Sequence, residues 1–190
     1  MKFNIKKSLI YVVFATILIA FDQFTKYLAV IKLKGNDGFE VIKNVLKFEY
    51  VENRGAAWGM LGGQRVLFII LTLIIIPLMI LFVYRIEKVI FECNEKKTIN
   101  KFNILQFIII TLVAGAIGNF IDRLVNQYVV DFLYFKLIDF PVFNVADCYV
   151  TIATFLLIVL MIFGLSSDEF DVIFPSKKKT VVNNEKDVER

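Results

Sequence analysis

The stretch VLFIILTLIIIPLMILFVY, residues 66–84, contains no carboxylate, basic or amide side chain. At a helical rise of ~1.5 Å per residue it reaches about 28 Å, close to the thickness of a bilayer's hydrocarbon core. Water offers such a segment no favourable folded state unless protein covers it on every side, so it reads as a transmembrane helix. Pro77 inside it is tolerable, because neighbouring helices in a membrane bundle satisfy the carbonyl that proline leaves free.

Working outward, three further segments have membrane-spanning length: residues 8–31, 102–121 and 145–165. Unlike residues 66–84, all three carry polar interruptions. The chain of 190 residues is 58% hydrophobic and contains 20 Phe, too apolar and too segmented for an ordinary soluble domain. The expected fold class is an all-α integral membrane protein. Four transmembrane helices in one unit over residues 1–165 are expected, with loops at 32–65 and 122–144 on one side. Residues 166–190, with SKKK and alternating charge, read as a flexible cytoplasmic tail.

Lys2, Lys6 and Lys7 precede the first span, and Arg85, Lys88, Lys96, Lys97 and Lys101 separate the second from the third. With Lys177, Lys178 and Lys179 beyond the fourth, this bias puts both termini in the cytoplasm. The N-terminal segment has the layout of a signal peptide, but no small-x-small cleavage site follows, and DQFTKYLAVIKL continues the helix. It is read as an uncleaved anchor.

That orientation collects the polar interruptions at the outer level. The apolar part of the first span covers only about 20 Å, so Asp22, Gln23 and Lys26 lie in or just under the outer headgroup region. Asn119, Asp122 and Arg123 close the third span, and Asp147 opens the fourth. Asp22 and Lys26 stand at i, i+4, as do Asn119 and Arg123. Gly115 and Gly118 suit close approach of another backbone. Each feature also has a structural reading: Asn144 with Asp147 is a capping-box spacing, Asp22 with Lys26 a neutralising pair, and Asn119 a hydrogen-bonding glue residue.

The outer loop between the first two spans contains LKFEYVE, whose period-2 alternation predicts a small extracytoplasmic β-sheet between helices 1 and 2. NRGAAWG then reads as a turn of small residues open to a ligand. Between the last two spans, VVDFLYF surrounds Asp131 with apolar and aromatic neighbours, a setting that raises a carboxyl pKa. A reentrant-looking loop brings the chain back to Asp147, sixteen residues on. If the two acids meet in a site of low dielectric, they share one proton, and that state suits amide hydrolysis through an activated water.

The chain has no histidine, which removes the commonest general base and zinc ligand. Cys93 and Cys148 fall on opposite sides of the bilayer, so no disulfide between them is expected. Neither a metal nor a cofactor is expected. A proton- or ion-coupled transporter, a noncatalytic assembly subunit and a metal hydrolase using Asp122, Asp131 and Asp147 stand as rivals. No convincing internal repeat supports the first, and an all-carboxylate site is unlike zinc enzymes.

The segments FDQFTKYL, VENRGAAWG, GAIGNFIDRL, VVDF and FPVFNVADCYVT resemble, in order, the signature blocks of the lipoprotein signal peptidases (signal peptidase II). The resemblance covers nearly the whole chain up to about residue 165. It implies an aspartic endopeptidase of the bacterial cytoplasmic membrane, with its active site at the outer interface. The implied reaction cuts prolipoproteins before a diacylglyceryl-modified cysteine. Carried over by motif, the catalytic pair is Asp131 and Asp147. The supporting positions are Asp22, Lys26, Asn53, Gly55, Gly115, Asn119, Asp122, Arg123, Asn144 and Ala146. Diacylglyceryl-modified prolipoproteins and membrane lipid are the implied partners, with no nucleic acid, for a chain acting as a monomer. Arg54 and Trp58 depart from the small residues of their block, and Trp58 is expected to help cover the lipid-modified cysteine.

Overall fold

A computed structural model describes residues 4–55 and 63–174. Its helices long and apolar enough to cross a membrane are α1 (Ile5–Leu33), α2 (Arg65–Glu92), α3 (Lys96–Val125) and α4 (Val145–Val159), the last continued by a π-helical turn, Leu160–Gly164. The strands are β1 (Phe39–Ile42), β2 (Leu46–Asn53) and β3 (Val129–Phe135).

The bundle is organised around α3, which buries far more of its length than the other spans. The reason is in its sequence. Leu105, Ile109, Leu112 and Val113 recur at helical spacing, and Gly115 and Gly118 open its C-terminal half to neighbours. A β-carbon at Gly115 would stand 2.7 Å from the Ala146 carbonyl oxygen, and one at Gly118 2.5 Å from Asp22 Oδ2. Lipid is as apolar as leucine, so such close packing and interhelical hydrogen bonds, rather than expulsion from water, hold the spans together. At the end of the bundle away from the sheet the bonds come from Gln106, which is fully buried. It accepts from Tyr11 Oη of α1 at 2.9 Å and donates to the Val83 carbonyl oxygen and Glu87 Oε2 of α2 at 3.0 and 3.1 Å. Lys7 pairs with the same Glu87.

The sheet differs from the expectation. It has the antiparallel order β1-β2-β3, so it is not confined to the connection between the first two spans. Its third strand is the apolar stretch read as part of a reentrant loop. The β-branched and aromatic residues of VVDFLYF satisfy their backbone against β2, with Val51 opposite Asp131 and Asn53 opposite Val129. Phe48 and Tyr50 both pack on the cluster of Ala29, Leu33, Val130 and Phe132, which fixes the sheet to the C-terminal end of α1.

Two boundaries are also corrected. Helix α3 runs to Val125, so Asp122 and Arg123 are helical residues rather than the start of a loop. The tail expected to be flexible from residue 166 instead begins with a short helix, α5 (Ser167–Ile173). Ser166 and Glu169 form a capping box, Glu169 binds Lys101 and Thr98, and Ile173 is buried against Ile86 and Phe102. Charge alternation concealed these anchors: burial raises the Glu169 pKa, but its bonds to Lys101, Ser166 and Thr98 outweigh that and hold it at about 2.

Candidate active site

Strand β3 delivers Asp131 to the junction of the sheet with α3 and α4, where the residue is almost fully buried. Asp131 Oδ2 accepts from Asn53 Nδ2 at 2.8 Å, across the β2–β3 ladder, and Oδ1 accepts from Asn144 Nδ2 at 2.6 Å. Burial pushes the Asp131 pKa from its ordinary value near 3.8 to about 7, and the charge of Asp147 adds to the rise. The two asparagines and the Lys26 ammonium oppose it without cancelling it.

Asp147 stands in the first turn of α4. The capping box read from the sequence is present: Asn144 Oδ1 accepts from the Asp147 backbone N–H at 3.0 Å, and Asp147 Oδ2 accepts from the Asn144 N–H at 3.1 Å. The cap does not exhaust the carboxylate, because Oδ1 takes a further bond from Asn119 Nδ2 at 2.8 Å. Asn144 therefore holds Asp147 with its backbone and Asp131 with its side chain. The structural and functional readings of this position are compatible, and one residue ties both acids to the start of α4.

Behind this pair lies a charged layer. Lys26 is buried between Asp22 Oδ2 at 2.9 Å and Asp122 Oδ2 at 3.2 Å. It also donates to Asn119 Oδ1 at 2.8 Å, which turns the Asn119 amide nitrogen toward Asp147. Asn144 Nδ2 donates to the same Asn119 oxygen at 3.0 Å. Both acids also clamp backbone: Asp22 accepts from Ala146 N through its other oxygen, Oδ1, and Asp122 Oδ2, the oxygen that meets Lys26, accepts from Val130 N, so these acids fix the starts of α4 and β3. Among the described residues Asp131 and Asp147 have no Lys or Arg within ion-pair distance, whereas Asp22 and Asp122 share one.

The two acids open on a cavity of about 560 Å³. Asn53, Gly55, Asn119 and Arg123 line its polar side. Phe135, Ile138, Phe140, Pro141, Val142 and Phe143 form an apolar wall, and Cys148, Thr151 and Ile152 continue it down α4. Arg123 donates to the Gly55 carbonyl oxygen at 3.3 Å and to that of Asn119 at 3.4 Å, joining the turn after β2 to α3. The Gly55 N–H in turn donates to Asn53 Oδ1. A mainly apolar pocket with two acids and a few amide donors at one end is suited to an apolar ligand that carries a polar group at that end.

All twelve sequence-derived positions come together in this region, in two roles. Asn53, Gly55, Asn119, Arg123, Asp131 and Asp147 line the cavity, while Asp22, Lys26, Gly115, Asp122, Asn144 and Ala146 support it from behind. Asp122 is engaged by Lys26 and Val130, and among the described residues the carboxylates are not gathered into a set that could hold a metal ion. Trp58 lies outside the described residues. Sequence reading omitted Gln23 and Gly118 from the site. Gln23 Nε2 bonds the Gly118 carbonyl oxygen and Asp22 Oδ2, both at 3.1 Å, and the bare α-carbon of Gly118 makes room for Asp22. Their adjacency to Asp22 and Asn119 was the available signal. The apolar wall had no such signal, since its residues are unremarkable singly.

Residues 14–163 match the family model described as signal peptidase (SPase) II. A lipoprotein signal peptidase of Staphylococcus aureus (strain bovine RF122 / ET3-1) is 38% identical over 164 residues, spanning 85% of this chain and 91% of that protein. Its counterpart in strain JH9 is 37% identical over the same shares. Two solved structures, both described as bacterial membrane enzymes obtained by the in meso method, superpose with TM-scores of 0.67 and 0.66. The first is 33% identical and covers 99% of this chain and 98% of that one; the second is 36% identical and covers 86% and 97%.

Proposed function

The chain belongs to the signal peptidase II family, and from that premise we propose that it removes signal peptides from bacterial prolipoproteins with Asp131 and Asp147 as a two-aspartate acid/base pair. The proposed cut is the peptide bond before a diacylglyceryl-modified cysteine. The observation that carries the mechanism is the bridge through Asn144, which holds both carboxyls at one end of a mainly apolar cavity with, among the described residues, no Lys or Arg within ion-pair distance of either.

In the resting site one proton is shared, and near neutral pH it resides on Asp131, whose pKa is about 7. Ionised Asp147 takes a proton from a water as its oxygen attacks the scissile carbonyl carbon, and Asp131 gives its proton to the carbonyl oxygen. The tetrahedral diol then collapses. One hydroxyl returns a proton to Asp131, the C–N bond breaks, and Asp147 passes its proton to the departing amine. Both acids end as they began. Asn119 and Asn144 keep Asp147 oriented through the cycle, while Asn53 and Asn144 do the same for Asp131.

We also propose a bacterial cytoplasmic membrane location, both termini on the cytoplasmic side, and the acids at the outer interface, where water reaches them while the signal peptide and acyl chains remain in lipid. The lysine distribution supports that orientation. The function is tested by giving the purified protein a prolipoprotein with and without the diacylglyceryl group and weighing the products. Cleavage only of the modified form, releasing a mature chain that begins at the lipidated cysteine, is expected. A cut elsewhere, or equal cleavage of both forms, would overturn the proposal.

A further inference from the structure

A second cavity, of about 440 Å³, lies between α1 and α2 toward the end of the bundle away from the sheet, with Gln106, Ile110 and Val113 of α3 as its floor. The chain directions sort its lining by polarity. Ser8 and Tyr11 of α1, Tyr84 and Glu87 of α2 and Gln106 of α3 stand at one end, whereas Val12, Ala15, Ile80, Leu81, Ile110 and Val113 continue the groove into the apolar spans. From Ser8 to Ala15, from Glu87 to Ile80 and from Gln106 to Val113, each wall extends about 10 Å at helical rise. Val12, Ile80 and Leu81 are 61%, 51% and 61% exposed, so the groove is open to the outside of the bundle, which in a membrane is lipid.

The polar end is built without a ligand. Tyr11 donates to Gln106 Oε1 and sets its ring edge-on to Phe107 at 5.0 Å, while Glu87 accepts from Lys7 and from Gln106 Nε2. What this end still offers is positive charge. The Lys7 ammonium lies 5.7 Å from the centre of the Tyr11 ring and that of Lys88 4.7 Å from the Tyr84 ring, so each of the two helices folds one cation over a tyrosine that lines the groove. Glu87 balances Lys7. Among the described residues Lys88 has no carboxylate within ion-pair distance and keeps its charge for something outside the chain.

We propose that this groove is a binding site for an anionic phospholipid, with one acyl chain lying between α1 and α2 and the phosphate seated by Lys88 and Lys7. Its apolar length has no use for a soluble anion, and its cationic mouth has none for hydrocarbon alone; an amphiphile with a negative head satisfies both. A lysine ammonium serves such a phosphate as a point charge, and the low dielectric at the groove's mouth strengthens the attraction. Bound there, the lipid bridges the N-terminal end of α1 to the C-terminal end of α2, the two spans that Gln106 already ties, and stabilises the bundle. Asp131 and Asp147 open on the other cavity, so the site acts on stability and not on the chemistry.

Two measurements test this. Thermal unfolding of the full chain in detergent is followed with dioleoyl phosphatidylglycerol, dioleoyl phosphatidylcholine or glycerol phosphate added. Phosphatidylglycerol should raise Tm by about 5 °C at saturation and the other two by less than about 1 °C. An equal rise with phosphatidylcholine would overturn recognition of the charge, and one with glycerol phosphate would overturn the acyl seat. In Lys88→Glu, at an exposed position, the rise measured from the variant's own lipid-free Tm should vanish; an undiminished rise would overturn the phosphate seat. A phosphatidylglycerol with a photoreactive acyl chain then locates the lipid. Labels are expected on Val12, Ile80 or Ile110, whereas labels confined to Val142 and Ile152, or spread evenly over the exposed faces of the spans, would overturn the site. Neither measurement requires catalysis, so failure of the proposed cleavage and failure of this site are separate results.

Discussion

The bundle contains two buried polar networks, one at each end, and they differ in how their charges balance. At the inner end, Glu87 has one ammonium, Lys7, and a donor from Gln106, and the remaining carboxamide groups of Gln106 bond Tyr11 and Val83. One acid meets one base. At the outer end four aspartates, Asp22, Asp122, Asp131 and Asp147, face Lys26 and Arg123, and Lys26 is committed to Asp22 and Asp122. The surplus leaves Asp131 and Asp147 with amide donors only, on the wall of a cavity. A polar network that closes on itself holds helices; one with an uncompensated acid pair must hold a proton, and can move it.

Substitutions can break that contrast. The largest effect is expected for Asp131→Asn and Asp147→Asn, each lowering kcat on the lipidated substrate by at least about 10³-fold with folding intact; full activity in either would put the chemistry elsewhere. Lys26→Met leaves two buried carboxylates without their cation and should cost about 3–5 kcal/mol, read as a lower Tm in detergent, with partial recovery when Asp22→Asn is added. Asn144→Ala removes a helix cap and a donor to Asp131, so activity should drop about 10- to 100-fold, more than the roughly 1 kcal/mol loss of stability accounts for. The smallest effect is expected at the inner end. Gln106→Leu should lower stability by about 1 kcal/mol and leave kcat unchanged, and a change in kcat would show that the two networks are not independent.

Much of the outer network was legible in the sequence, because ionisable residues in lipid are costly and stand out against apolar runs. The span arithmetic brought Asp22, Lys26, Asn119 and Asp147 to one level, and the spacing of Asn144 to Asp147 announced the cap. Tertiary choices were less legible. VVDFLYF has strand composition, yet its pairing with β2, which sets Asn53 diagonally within reach of Asp131, depends on a partner about eighty residues away. Helix α5 looked like charged tail because Glu169 and Ile173 gain meaning only from Lys101 and Ile86. Gln106, one of several polar residues in α3, gave no hint of which two helices it joins.

The shared proton at the outer end is the center of this account, and the pH dependence of kcat on diacylglyceryl-modified prolipoprotein tests it most directly. Asp131 has a pKa raised to about 7, so it carries the proton below that pH and loses it above. Activity should therefore fall as pH rises through about 7, and fall again at acid pH when Asp147 is protonated as well, giving a bell. A rate that stays constant from pH 6 to about 9, or that rises through 7, would contradict a mechanism in which Asp131 donates the proton.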